Sequence, residues 1–294
     1  MRACEVALVQ LCSSPDVEAN LRRASDACAN ALAEGAELVV LPEGYAEIPA
    51  LDTPPSERFE PDAPERSRVV APFIELSRRH PNAVIVLGGV PEVHSATHHH
   101  NVALVVFAGR VAARYRKIHL FELDLPGQAA LSESRRVVAG REPLVVAAPF
   151  GRIGLSICYD LRFPELYRSL VAAGAELLLV PAAFTHATGE AHWEVLLRAR
   201  AIESQCWVLA AAQWGVHSPA SASGRAPRRS FGRSLVIDPW GRVVARLDEG
   251  EGLVRARIEP EPLEHARGVL PALRHRVLGH ETPADLVTLE GQAV

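Results

Sequence analysis

The sequence predicts a layered α/β domain in which short buried strands alternate with amphipathic helices. Three observations carry this. Gly35-Ala36-Glu37-Leu38-Val39-Val40-Leu41-Pro42 is nearly repeated as Gly174-Ala175-Glu176-Leu177-Leu178-Leu179-Val180-Pro181, and each copy follows a strand, a helix and a glycine stop. The stretch Gly151–Leu166 begins as a strand buried on both faces, then opens a helix at Pro164 and Glu165. Finally, 294 residues, 48% of them hydrophobic, can build one substantial core, and no linker divides them. Two β-α-β units in one layered domain should cross over right-handed. Each copy leaves a loop at its strand's carboxyl end, so Glu43 and the segment 182–185 are expected at the same crevice.

Taken in order, residues 5–12 read as a first buried strand. Ser13, Ser14, Pro15 and Asp16 cap a helix over 17–34, with Leu21, Ala24, Cys28 and Leu32 on one face. A strand at 37–41 follows Gly35, and the Pro- and charge-rich residues 50–66 read as a surface excursion. A helix over 67–79 precedes a strand at 83–88. The histidine-rich block 94–100 is expected to be a solvated turn, because consecutive histidines cannot all face one ion; no metal is expected. Residues 101–107 and 111–115 form a hairpin around Ala108-Gly109-Arg110, leading directly into Lys117. Residues 122–142 read as loop with a short turn.

After the Cys158 strand come a helix at 165–173, a strand at 176–180 and a helix over 190–204. That last helix is expected to turn Trp193, Leu196, Leu197, Ala201 and Ile202 inward, leaving Glu194, Arg198 and Arg200 for ion pairs. A strand at 206–212, a polar substrate-facing segment at 215–230, a hairpin of 234–237 with 242–247 around Asp238-Pro239-Trp240-Gly241, and a strand at 252–258 complete the sheets. A basic helix near 263–276 ends the domain, expected to span 1–275 with a tail at 276–294.

Composition excludes several classes. A formal net charge of −4 argues against nucleic acid or an anionic membrane as partner. No apolar run is long enough to cross a bilayer, and Glu5 and Gln10 interrupt the first strand, unlike a signal-peptide core. Cys4, Cys12, Cys28, Cys158 and Cys206 form an odd set without C-x-x-C, which fits reduced thiols in a cytoplasmic protein. There is no P-loop, no H-E-x-x-H and no G-x-S-x-G at the nucleophile position.

Glu43, Lys117 and Cys158 each end an apolar strand as it enters a loop. Singly, a surface carboxylate, a solvated lysine and a core cysteine explain them as well. Together they suffice for amide hydrolysis. A carboxylate can take the thiol proton, return it to the leaving amine and then activate water. An ammonium, with the backbone N–H of Tyr159, can stabilise the oxyanion.

These three segments resemble the signature of the nitrilase superfamily of carbon–nitrogen hydrolases. The run Cys158-Tyr159-Asp160-Leu161-Arg162-Phe163-Pro164-Glu165-Leu166 resembles its Nit branch. The segment Thr188–Glu203 with Asp238-Pro239-Trp240-Gly241 is similar to the deaminated-glutathione amidases within that branch. The resemblance implies a four-layer α-β-β-α sandwich that assembles as a homodimer or higher homo-oligomer. It implies Glu43 as general base, Lys117 as oxyanion stabiliser, Cys158 as nucleophile, and Glu133 as a second glutamate orienting the lysine and the water. No cofactor is implied. The implied substrate is a small-molecule linear amide whose acid half carries a 2-oxo group, such as deaminated glutathione, cleaved through a cysteinyl thioester in metabolite repair.

Tyr45, Tyr159, Phe184, Thr185 and His192 are the expected substrate-binding residues; core packing or helix capping would explain them otherwise. The sequence departs from the animal-type pattern around 52–66 and 215–230. Rival functions are ω-amidase activity on 2-oxoglutaramate or 2-oxosuccinamate, a Cys-His protease needing an imidazole base, and a catalytically silent partner-binding homologue.

Overall fold

The protein is described by a computed structural model covering residues 1–49, 53–123, 131–218 and 227–278. Portions of the expected excursion at 50–66, loop at 122–142, polar segment at 215–230 and C-terminal tail therefore lie outside the described residues.

The first half runs β1 (Cys4–Gln10), α1 (Val17–Ala33), β2 (Leu38–Val40), α2 (Ala71–Arg79), β3 (Val84–Val93), β4 (His99–Phe107) and β5 (Arg110–Arg116). Two short strands, β6 (Glu122–Leu123) and β7 (Leu131–Ser132), pair in the loop that follows. The second half runs β8 (Val145–Ala148), β9 (Gly151–Leu155), α3 (Pro164–Ala172), β10 (Leu177–Leu179), α4 (His186–Ser204), β11 (Trp207–Ala210), β12 (Trp214–Val216), β13 (Arg229–Phe231), β14 (Ser234–Ile237) and β15 (Val243–Leu247). The strand β16 (Gly252–Ile258) then returns to the first sheet, and α5 (Pro260–Val269) closes the described elements.

Two six-stranded sheets result, ordered β16-β1-β2-β3-β4-β5 and β15-β14-β11-β10-β9-β8. Each has a parallel core of three strands, β1-β2-β3 or β9-β10-β11, linked by two helices. Each parallel core is flanked by one antiparallel strand on one side and two on the other. The near-repeat of the sequence is thus the middle strand of the parallel core in each of two topologically equivalent halves.

Alternation along the strands sets the layers. In β1, Val6 and Leu8 join the cluster between the sheets, whereas Ala7 and Val9 pack with Ala24, Cys28 and Leu32 of α1 and Phe73 of α2. The second sheet covers its outer face with Leu166 and Leu170 of α3 and Trp193 and Leu197 of α4. The order is helix, sheet, sheet, helix, as expected. Each fully buried Val or Leu contributes about 1.5–3 kcal/mol to holding those layers together.

Several local expectations need correction. The solvated turn covers only the start of the histidine block: Val93 pairs with His99 and Glu92 with His100, so both histidines are buried in the β3–β4 ladder. Burial lowers the His99 pKa to about 4 and leaves it neutral. Helix α4 starts one turn earlier than expected, and its buried stripe of Gly189, Trp193, Leu197, Arg200, Ala201 and Ser204 leaves Ile202 50% exposed. Arg200 lies inside that stripe because its guanidinium donates twice to the Leu161 carbonyl and pairs with Glu203. The last helix runs Pro260–Val269 rather than near 263–276, its first turn set by the proline.

Candidate active site

Glu43 follows β2, Lys117 follows β5 and Cys158 follows β9, so all three leave the sheets at strand ends. The structure brings them together. Lys117 Nζ donates to Glu43 Oε1 at 3.1 Å and to both oxygens of Glu133, at 2.9 and 2.8 Å. Glu43 Oε2 accepts the Ala183 N–H at 2.9 Å, so the loops of the two repeats do share one crevice. The Cys158 thiol hydrogen-bonds to Glu43 and feels the charges of Lys117 and Glu133. Only 1% of Lys117 and 8% of both Glu43 and Cys158 is exposed, so these interactions are little screened by water.

The electrostatics define a resting state. Burial raises the Glu43 pKa, but the Lys117 charge and hydrogen bonds from Cys158, Lys117 and Ala183 outweigh it and hold the carboxylate below its ordinary value. Burial and the neighbouring Glu43 charge push the Cys158 thiol well up, with Lys117 opposing. Burial works against the Lys117 ammonium, yet Glu133 and Glu43 more than compensate and its pKa is raised. At neutral pH a protonated thiol therefore faces an ionised carboxylate and a charged amine. Such a thiol attacks only as a base removes its proton.

Backbone geometry aims the sulfur. Ile157 is extended (φ −136°), Cys158 is left-handed (φ +49°), and a 3₁₀ turn over Cys158–Arg162 follows. A left-handed non-glycine residue costs about 1–2 kcal/mol and persists only where neighbours enforce it. Here Cys158 N–H donates to the Pro181 carbonyl at 2.9 Å. Asp160 Oδ2 accepts the Ile157 N–H and the Tyr115 hydroxyl, and Oδ1 accepts the His119 N–H, with His119 Nδ1 at 2.7 Å. Buried Asp160 thus ties the cysteine turn to the segment carrying Lys117.

Glu133 opens a 3₁₀ turn at 133–135, within the stretch expected to be loop with a short turn. Its carboxylate accepts the Phe121 N–H at 2.8 Å while its own N–H donates to the Phe121 carbonyl. Close to Glu43, β3 passes as Gly88-Gly89, where the β3–β4 register shifts. Gly89 has φ +65°, and a Cβ there would lie 2.6 Å from Glu43 Cγ. Glycine is what allows the carboxylate that close.

The expected substrate-binding residues divide. Tyr159 is half-buried, edge-on to both Phe121 and Phe163. Arg162 lies over the rings of Tyr159 and Phe184, 5.7 and 5.0 Å from their centroids, and its Nη1 is 3.3 Å from Nδ1 of exposed His192. Thr185 precedes α4, with its hydroxyl 2.6 Å from that of Thr188. Tyr45 is a correction: it is fully buried on the helix side of the first sheet, edge-on to Phe73, and its hydroxyl donates to the Val69 carbonyl. Its neighbour Glu43 faces the crevice while the tyrosine fills core.

Sequence reasoning missed Asn101, Asp160 and Arg162. Asn101 Nδ2 donates to Glu43 Oε1 at 2.9 Å. The signal was present, a polar side chain directly preceding the apolar run 102–107. Among the described residues no group of three or more His, Cys, Asp or Glu is arranged to hold a metal ion.

Residues 5–267 match the family model of carbon–nitrogen hydrolases, and the chain belongs to that family, whose members hydrolyse non-peptide carbon–nitrogen bonds. Its relatives include the deaminated glutathione amidase of Homo sapiens, 41% identical over 93% of this chain and 83% of the relative. That of Synechocystis is 38% identical over 94% and 99%. The crystal structure of the Caenorhabditis elegans NitFhit protein superposes with a TM-score of 0.82 at 38% identity, covering 94% of this chain, which spans 65% of the worm chain. Saccharomyces cerevisiae Nit3, of branch 10 of the nitrilase superfamily, gives 0.75 at 30% identity over 92% and 95%.

Proposed function

We propose that the chain is an amidohydrolase of linear 2-oxo-acid amides, deaminated glutathione foremost, acting in metabolite repair through a thioester on Cys158. The observation that carries this is the contact of one buried ammonium with two carboxylates, one of which also receives the thiol. Glu43 takes the Cys158 proton as sulfur attacks the amide carbonyl. The oxyanion is held by Lys117 and by the Tyr159 N–H, which has no intrahelical acceptor at the start of its turn. Collapse breaks the C–N bond, and Glu43 delivers its proton to the departing amine. Glu43 then deprotonates water, which attacks the thioester; the acid leaves, and the proton returns to sulfur. Glu133 keeps Lys117 charged and oriented throughout.

Substrate choice follows from Arg162, a cation with no carboxylate partner among the described residues, framed by Tyr159, Phe184 and His192. It is four residues from the nucleophile and suits the carboxylate of a 2-oxo acid. The names of the human and cyanobacterial relatives support the deaminated-glutathione assignment. Five free cysteines support a reducing, cytoplasmic setting. Exposed Val195, Ile202, Trp240 and Val244 support a homodimer.

The test is a panel of deaminated glutathione, 2-oxoglutaramate, 2-oxosuccinamate and an uncharged amide, scored by release of amine or ammonia. Deaminated glutathione should give the highest kcat/KM, and Arg162→Met should raise KM for the charged substrates alone. A preference for 2-oxoglutaramate would make the enzyme an ω-amidase. No turnover of any amide would leave a silent homologue.

A further inference from the structure

Asn101 is the third residue of β4, and the next five residues, Val102 to Val106, are all buried and apolar. A branched aliphatic residue would suit that position better by strand propensity alone. The amide instead reaches into the crevice, where its Nδ2 donates to Glu43 Oε1 at 2.9 Å. Its Oδ1 is buried and has no hydrogen-bond partner among the described residues, an unfavourable state for a carbonyl. The opposite orientation would set that carbonyl against the ionised carboxylate, acceptor to acceptor, so the bond to Glu43 fixes the amide at the expense of its own oxygen.

We propose that Asn101 is a positioning residue for the general base: it occupies Glu43 Oε1 so that Oε2 is the oxygen presented to the Cys158 thiol. The proposal rests on Glu43 being the base. Counting lone pairs supports it. Oε1 receives Asn101 Nδ2 and Lys117 Nζ, which engages both of its lone pairs. Oε2 receives the Ala183 N–H and keeps one free for a proton. When Lys117 turns a proton toward the substrate oxyanion, Asn101 still holds Oε1 and the carboxylate does not swing.

The residue type matters. A second cation here would stabilise the carboxylate so far that it lost its basicity, whereas an amide offers a donor without charge. The same residue also sets the spacing of base and lysine, because its backbone carbonyl accepts the Lys117 N–H at 2.8 Å. Gly89 leaves the room: a Cβ there would lie 2.6 Å from Glu43 Cγ and 3.0 Å from Asn101 Oδ1.

Two variants test this, each characterised by kcat, KM and the pH profile of kcat/KM on a 2-oxo-acid amide, with thermal melting as the check on folding. Asn101→Ala removes the donor. Asn101→Asp keeps the shape, removes the donor and adds a negative charge beside Glu43. In Asn101→Ala, kcat should fall on the order of 10- to 10²-fold with KM within about threefold. The acid limb should move up by about one pH unit, and further in Asn101→Asp. An acid limb at the wild-type position in both variants, whether activity is kept or lost in proportion to folded protein, overturns the proposal. If Asn101→Ala fails to fold, Asn101→Asp carries the pH test alone. Glu43→Gln separates the two levels: wild-type turnover there removes Glu43 as base, independently of what the Asn101 variants do.

Discussion

Replacing Lys117 by methionine takes one ammonium from between two carboxylates and nearly preserves side-chain volume. Nζ lies 3.1 Å from Glu43 Oε1 and 2.8 Å from Glu133 Oε2 with only 1% of the residue exposed, so no water replaces the lost contacts cheaply. Loss of one oxyanion donor should lower kcat by about 10²–10³-fold. A second loss compounds it. Without the lysine charge and hydrogen bond, burial prevails at Glu43, and its pKa rises above the ordinary 4.5 instead of lying below it. Stability should fall by roughly 3 kcal/mol, the low end for breaking a buried pair, because Glu43 can take up a proton.

The sign of the pH dependence follows from those shifts. In the wild type, the depressed Glu43 pKa contributes stability above the unfolded value and loses it as pH falls through the folded value. In Lys117→Met the folded pKa is raised, so the penalty is full at high pH and relieved on acidification. Melting curves at pH 8 and pH 5 should therefore show a gap of roughly 5–10 °C at the higher pH that narrows at the lower. A variant within about fivefold of wild-type kcat, melting at the wild-type temperature at both pH values, would refute the placement of this lysine at the centre of both catalysis and folding.

The wild-type kcat/KM should be flat across neutrality and decline only below pH 4.5, where Glu43 protonates; a decline beginning near the histidine range would instead point to an imidazole base. Lys117, with its pKa raised above 10.5, should impose no alkaline limb between pH 7 and 10 in the same profile. Gly89→Ala forces a left-handed φ of +65° on alanine and a Cβ to 2.6 Å from Glu43 Cγ, so turnover should fall on the order of 10²-fold. Gly88→Ala instead meets Pro181 Cβ at 2.2 Å and the Leu41 carbonyl at 2.5 Å, and melting temperature should suffer more than in Gly89→Ala.

Much of this was legible in the sequence because the sheets announce themselves twice. Buried parallel strands read as unbroken apolar runs, and the Gly-Ala-Glu repeat by itself marks β2 and β10 as equivalents. Glu43 and Cys158 were legible for the same reason, as side chains closing buried apolar strands, whereas Lys117 closes the half-exposed edge strand β5. Tyr45 was misread because a turn residue next to Glu43 gives no local sign of which way its ring points; packing against Phe73 decides that. His99 and His100 looked like solvated loop because pairing with β3, set by a distant register, lies outside any local pattern. Arg200 looked like a surface partner because its acceptor, the Leu161 carbonyl, belongs to the cysteine turn.

Covalent capture tests the chemistry at its centre. Enzyme turning over a 2-oxo-acid amide, quenched in acid and mapped by mass spectrometry, should carry the acyl group on Cys158 and on none of the other four cysteines. Cys158→Ala should show no acylation and no turnover while melting as the wild type does. Acylation at another residue, or turnover surviving in Cys158→Ala, would contradict a nucleophilic role for this sulfur.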